Sequence, residues 1–283
     1  MTDILKGNVV AQSIKDDMSK RIEELGKKGK YPKLAIVRLG EDPSDVSYEK
    51  SIIKNCDKLD IKWEVFQRET SMTTEELVAL LDELNNEDEV SGILVFRPLP
   101  KHIDEEEIRN AISPLKDVDC MNPLNLEKIF EGDLSGFAPG TPKAAMEILK
   151  YNNIDLEGKN VVVVNRSMVV GKPLAMMLLN ENATVTICHS RTKNLEEVTK
   201  NADVVIPALG RPKHFGMEYF NEDSIVIDVG VSITEEGKLS GDIDFDAVSE
   251  NVGAITPVPG GVGSVTTTIL LNQVVLACEN LNK

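Results

Sequence analysis

Residues 160–164 read NVVVV, and four valines in a row constrain this chain more than any other stretch. β-branched side chains lose rotamer freedom in a helix and pack well on a pleated sheet. The run does not alternate with polar residues, so the strand it predicts is buried on both faces. Strands of that kind belong to parallel sheets covered by helices. The segments around it agree: TPKAAMEILKYN and KPLAMMLLNEN have helical spacing, and ATVTIC (183–188), ADVVIPALG (202–210) and DSIVIDVG (223–230) read as further strands. A last apolar helix is expected over 265–281. The pattern predicts a doubly wound, Rossmann-like parallel sheet from about residue 141 to 264.

The first half repeats the alternation. An amphipathic helix over about 8–28 precedes strand KLAIVRLG (33–40). Pro43, beside Asp42 and Ser44, signals a helix start. WEVFQRE (63–69) alternates as a strand, TTEELVALLDELN (73–85) is a threonine-capped helix, and GILVF (92–96) is a buried strand running into Arg97 and Pro-Leu-Pro. An acidic helix follows at 104–112. Residues 113–140, rich in Pro, Gly, Asp and Asn, read as loops. The fold class is thus α/β, in two α/β domains that divide near residue 140.

Composition narrows the partners. The chain has 283 residues and a formal charge of −16, which repels nucleic acid and anionic membrane. Four cysteines at 56, 120, 188 and 278 form no CxxC pair, as expected of free thiols in a reducing compartment. No His/Asp/Glu grouping has metal-ligand spacing, so no metal is expected. The N-terminus lacks a cationic segment followed by an apolar core, and no apolar run reaches the roughly 18 residues a membrane span needs. A cytoplasmic protein is expected.

The strongest candidate site follows the NVVVV strand. A dinucleotide needs a tight turn there, backbone amides facing the pyrophosphate and a close helix start. GxGxxG is missing; the loop reads NRSMVVGKP (165–173). Asn165 is expected to take a left-handed turn conformation. Gly171 permits close backbone approach, and Arg166 and Ser167 can donate to phosphate oxygens. Taken alone, the loop is equally compatible with a plain structural turn. The next strand ends Cys188-His189-Ser190-Arg191, without the carboxylate that holds the ribose hydroxyls of NAD. His189, Ser190 and Arg191 in that place, with Arg166, point to NADP.

These stretches, with GEDPSDVSYEKSIIK (40–54), KDVDCMNP (116–123), GDIDF (241–245) and ITPVPGGVG (255–263), resemble the methylenetetrahydrofolate dehydrogenase/cyclohydrolase family. The resemblance runs through nearly the whole chain in order. It implies oxidation of 5,10-methylenetetrahydrofolate by NADP, then hydrolysis of the methenyl cation to 10-formyltetrahydrofolate. It also implies that the two domains flank a cleft, with the C-terminal helix (265–283) joining the 1–140 domain and leaving 141–264 as the other. A homodimer formed through the nucleotide domains is implied as well. Carried over by position, the folate-binding residues are Tyr48, Asp119, and Pro259 with Gly260 and Gly261.

The chain departs from the family where hydrolysis is concerned. The family's lysine four residues after the tyrosine is Ile52 here, and its glutamine before Pro-Leu-Pro is Phe96. Gly-Phe-His after the aspartate is Cys120-Met121-Asn122, and the glycine opening the cofactor loop is Asn165. Hydrolysis needs proton shuttling, whereas hydride transfer to nicotinamide needs chiefly alignment. The expectation is therefore an NADP-dependent dehydrogenase whose cyclohydrolase is lost or weak. Two alternatives stand beside it: the bifunctional enzyme, and a non-catalytic folate- or dinucleotide-binding paralogue.

Overall fold

A computed structural model describes residues 2–234 and 236–283. The chain divides into two compact units. The first comprises Ser13–Ala138 with Thr267–Lys283; the second comprises the residues up to Gln12 with Pro139–Thr266. No described helix is long and apolar enough to cross a membrane.

Strand β1 (Asp3–Ile4) and helix α1 (Gly7–Lys27) open the chain. The first unit then runs β2 (Lys33–Leu39), α2 (Pro43–Lys58), β3 (Lys62–Arg68), α3 (Thr74–Asn86) and β4 (Gly92–Val95). Its sheet is parallel, in the order β3-β2-β4. The period of two in β2 divides the core. Leu34 and Ile36 join an apolar cluster with Met18 and Ile22 of α1, Ile52 and Cys56 of α2, and Leu271 and Val274 of the C-terminal helix. Ala35 and Val37 meet Leu77, Leu80, Leu81 and Leu84 of α3 instead.

Local chemistry sets the helix starts. Asp42 caps α2, accepting from the Ser44 amide at 2.9 Å, with Pro43 in the first turn. Thr73 and Glu76 close a reciprocal capping box on α3. After α4 (Glu105–Ala111) comes a departure from expectation. Residues 113–140 are not all loop, because α5 (Pro123–Glu131) forms inside them. Asn122 is its cap, Pro123 its first residue and Gly132 its left-handed end at φ 73°. The residues that read as breakers are the boundaries of a helix.

The second unit continues with α6 (Gly140–Tyr151), β5 (Asn160–Val164), α7 (Gly171–Asn180), β6 (Thr184–Cys188), α8 (Leu195–Lys200), β7 (Val204–Pro207) and β8 (Ile225–Val226). A short hairpin, β9 (Ser232–Ile233) with β10 (Leu239–Ser240), precedes α9 (Phe245–Val248), β11 (Ala254–Ile255) and the C-terminal α10 (Thr266–Leu281). The six-stranded sheet has the order β1-β11-β8-β7-β5-β6, with every pair parallel. The chain leaves β5 outward to β6 and returns to β7 on the other side, so the strand order reverses between β5 and β7. Residues up to Gln12 belong to this unit and not to the 1–140 domain expected above, because β1 pairs with β11.

Candidate active site

In the first unit the expected folate residues gather at the carboxyl end of β4. Tyr48, on α2, keeps 41 % of its surface exposed, and its ring lies 5.7 Å from that of Phe96. One turn on, Ile52 is wholly buried; Phe96 is 8 % exposed in the same apolar cluster. Desolvation, then the Asp119 charge, holds the Tyr48 phenol above its ordinary value. Lys50, Lys54 and Lys101 are exposed. Arg97 does not stand free: its Nη2 donates to Asp119 Oδ2 at 2.9 Å.

The turn carrying Asp119 is held from below. Asp117, fully buried, accepts from the Met121 amide (2.8 Å), the Asn122 amide (2.8 Å) and Asn125 Nδ2 (2.9 Å). Gln273 of α10 donates to the Val118 carbonyl at 2.6 Å and accepts from the Ala138 amide at 2.9 Å. Cys120 turns the chain at φ 58°, a left-handed conformation for the residue at the family's glycine position. Burial pushes the Asp119 carboxyl up, and the Arg97 guanidinium pulls it the other way. The pairing of Arg97 with Asp119 and the role of Gln273 were missed in the sequence, since neither partner is near in the chain.

In the second unit the cofactor loop leaves β5 at the point where the strand order reverses. Asn165 does not take the expected left-handed conformation. Its side chain makes the turn instead. Oδ1 accepts from the Ser167 amide (2.7 Å) and the Gly171 amide (3.2 Å), while Nδ2 donates to the Ala208 carbonyl at 2.5 Å. That last bond joins the ends of β5 and β7. A Cβ on Gly171 would lie 2.1 Å from the Asn165 carbonyl oxygen, so only glycine lets α7 start this close to the strand. Arg166, Ser167, Ser190 and Arg191 are exposed. Neither arginine has a carboxylate partner among the described residues. His189 is half-buried, and its Nδ1 accepts from the Arg191 amide at 3.2 Å.

A concavity of about 390 Å³ opens beside this loop, lined by Val170, Ala208, Leu209, Gly210, Val229 and Gly230 among others. Two buried carboxylates brace its rim. Asp228 accepts from the Gly230, Asp242 and Ile243 amides at 3.0–3.1 Å. Asp242 accepts from the amides of Leu209 and Arg211. Burial pushes the Asp228 carboxyl up to about 7 against those three amides. The motifs IDVG and GDIDF contain both residues, but nothing in the sequence signals that they brace backbone. Pro259 is exposed, Gly260 half-buried at φ 101°, and Gly261 buried. The Gly260 carbonyl accepts from the Gly7 amide at 2.8 Å, and a Cβ on Gly7 would lie 2.0 Å from the Gly261 oxygen. Close packing of this loop on the start of α1 by itself accounts for the small residues. Among the described residues no His, Cys, Asp and Glu group could hold a metal.

A doubly wound parallel sheet with a braced glycine corner at its reversal point, in a chain that also carries a second α/β unit, defines a two-domain dinucleotide-binding α/β protein. Comparison with known proteins makes the class specific. The catalytic-domain model of tetrahydrofolate dehydrogenase/cyclohydrolase matches residues 5–119, and the NAD(P)-binding-domain model matches residues 139–282. "Bifunctional protein FolD" of Clostridium botulinum is 59 % identical over 279 residues, 99 % of each chain. The crystal structure of the bifunctional dehydrogenase/cyclohydrolase FolD from Campylobacter jejuni superposes with a TM-score of 0.96, at 41 % identity and 99 % coverage of both chains. The Trypanosoma brucei methylenetetrahydrofolate dehydrogenase-cyclohydrolase, solved with NADP and an inhibitor, has a TM-score of 0.91 and 31 % identity, covering 99 % of this chain and 98 % of that one. The chain belongs to the tetrahydrofolate dehydrogenase/cyclohydrolase family. These relatives are named bifunctional, which favours the bifunctional alternative over the expected loss of hydrolysis.

Proposed function

We propose that this chain oxidises 5,10-methylenetetrahydrofolate to the methenyl cation with NADP, and that it then hydrolyses the cation to 10-formyltetrahydrofolate. The observation that carries the reading is the match of both family domains along the whole chain. NADP is supported by the exposed Arg166 and Arg191, by the lack of a carboxylate after β6, and by the cofactor in the trypanosomal relative. The residues at the β5 corner fit such a group: Gly171 leaves no room for a Cβ, and Arg166 and Ser167 are exposed to donate to phosphate.

NADP bound there supplies the hydride acceptor. Loss of hydride from the carbon bridging N5 and N10 leaves a cation that the two nitrogen lone pairs stabilise, so no protein base takes a proton. What the chain contributes is alignment. Tyr48 offers an exposed ring for stacking, Asp119 offers a carboxylate to the pterin edge, and the Asn165 brace sets the cofactor corner. Ile187, 37 % exposed on β6 at a sheet edge, supports a homodimer paired through the nucleotide units.

One observation favours a second reading, a dehydrogenase with little or no hydrolysis. Ile52 and Phe96 occupy the lysine and glutamine positions and lie in an apolar cluster, where they supply neither donor nor acceptor. Acid–base assistance is worth ~10²–10⁴-fold, and Arg97 is already paired with Asp119, while a guanidinium is in general a poor proton shuttle. The test follows NADPH and the methenyl chromophore together, then compares methenyl decay with and without protein. Faster decay with protein supports the bifunctional reading; NADPH formation with methenyl decaying only as in buffer supports the second. No NADPH at all would overturn both.

A further inference from the structure

Arg97 has no task in either reading, yet it is the one side chain hydrogen-bonded to Asp119 among the described residues. The two side chains are 26 % and 30 % exposed, so the pair faces a surface where a ligand can reach it. The backbone below Asp119 is fixed by Asp117 and Gln273, which leaves the carboxylate only its own side-chain rotations. Arg97 removes those. A guanidinium carries five N–H donors in a rigid fork and no acceptor. One nitrogen is used on Asp119, and the others meet no protein acceptor among the described residues. An acceptor-only carboxylate therefore stands beside unused donors. The 2-amino-4-oxo pyrimidine edge of a tetrahydrofolate is the inverse, with donors at N3 and the 2-amino group and an acceptor at O4.

We propose that Arg97 is a substrate-positioning residue: it fixes the Asp119 carboxylate and, with it, forms a donor–acceptor edge for the 2-amino-4-oxo ring of the folate. The inference rests on the reading of Asp119 as the folate-binding carboxylate. The Arg97 charge also opposes the desolvation of Asp119 and so favours its ionised form.

The test uses the full chain and the variants Arg97→Leu, Arg97→Lys and Asp119→Asn, each checked by thermal unfolding. KM for methylenetetrahydrofolate, KM for NADP and kcat are measured separately. Losing a charge-assisted partner should raise the folate KM about tenfold or more in Arg97→Leu. The NADP KM should stay within about twofold, and Arg97→Lys should recover part of the loss. Combining Arg97→Leu with Asp119→Asn should add little to Asp119→Asn alone. Folic acid and its 4-amino analogue, used as competitors, should be discriminated by the wild type and not by Arg97→Leu. A folate KM unchanged in Arg97→Leu while Asp119→Asn raises it overturns the role of Arg97, as does unaltered discrimination. An unchanged KM in Asp119→Asn overturns the folate reading of Asp119 itself. Should the leucine variant not fold, Arg97→Gln replaces it under the same criteria.

Discussion

Ile52 and Asp228 show how much depends on single side chains here. Ile52 has no exposed surface, and its cluster is apolar throughout. Placing the family's lysine there would bury an ammonium without a partner. Ile52→Lys is expected to lower the unfolding free energy by about 3 kcal/mol or more, read from urea denaturation, with no gain in methenyl hydrolysis. A variant as stable as the wild type would show that this position opens to water. Asp228 behaves differently. Its carboxyl is pushed up to about 7 by burial, with the Asp242 charge adding to it. The folded state therefore holds this proton more tightly than the unfolded chain. The resulting stability is complete below the ordinary carboxylate value near 4 and is lost as pH rises through 7. The stability difference between wild type and Asp228→Asn should shrink between pH 5 and pH 7, by up to ~1.4 kcal/mol per pH unit. A flat or rising difference in urea titrations would contradict that assignment.

Among the elements, α10 does most to shape the candidate folate site. Gln273→Leu would leave the buried Val118 carbonyl without a partner, at about 1–3 kcal/mol, and would release the half-buried Ala138 amide at a smaller cost. The expected outcome is a lower thermal midpoint together with a higher KM for folate, because Val118 precedes Asp119. A change in midpoint alone would separate the helix from the site. Sequence reasoning reached the local part of this arrangement: Thr73 and Asp42 announce their helices by hydrogen bonds within three residues. It could not reach Gln273, which acts on residues well over a hundred positions away. Helix α5 was hidden for another reason, since Asn122, Pro123 and Gly132 mark helix ends as readily as loops. Asp119 is a candidate through its motif; its pairing with Arg97 became visible only when the fold placed β4 beside the 117–122 turn.

At the scale of the molecule, β6 is a sheet edge with no strand beyond it among the described residues. If two copies pair there, Ile187→Lys should shift the sedimenting species from dimer to monomer while thermal unfolding changes little. A dimer that persists would place the contact elsewhere. The pairing of β1 with β11 has a consequence for synthesis. Asp3 leaves the ribosome before its sheet neighbour Ala254, which lies about 250 residues downstream. At roughly 5–20 residues per second, β1 waits on the order of 10 to 50 s for its place. The first unit waits as well, because Leu271 and Val274 of α10 complete the cluster around Leu34 and Ile36. Neither half can finish folding during translation, so a nascent chain halted before β11 would present two open cores to chaperones and proteases.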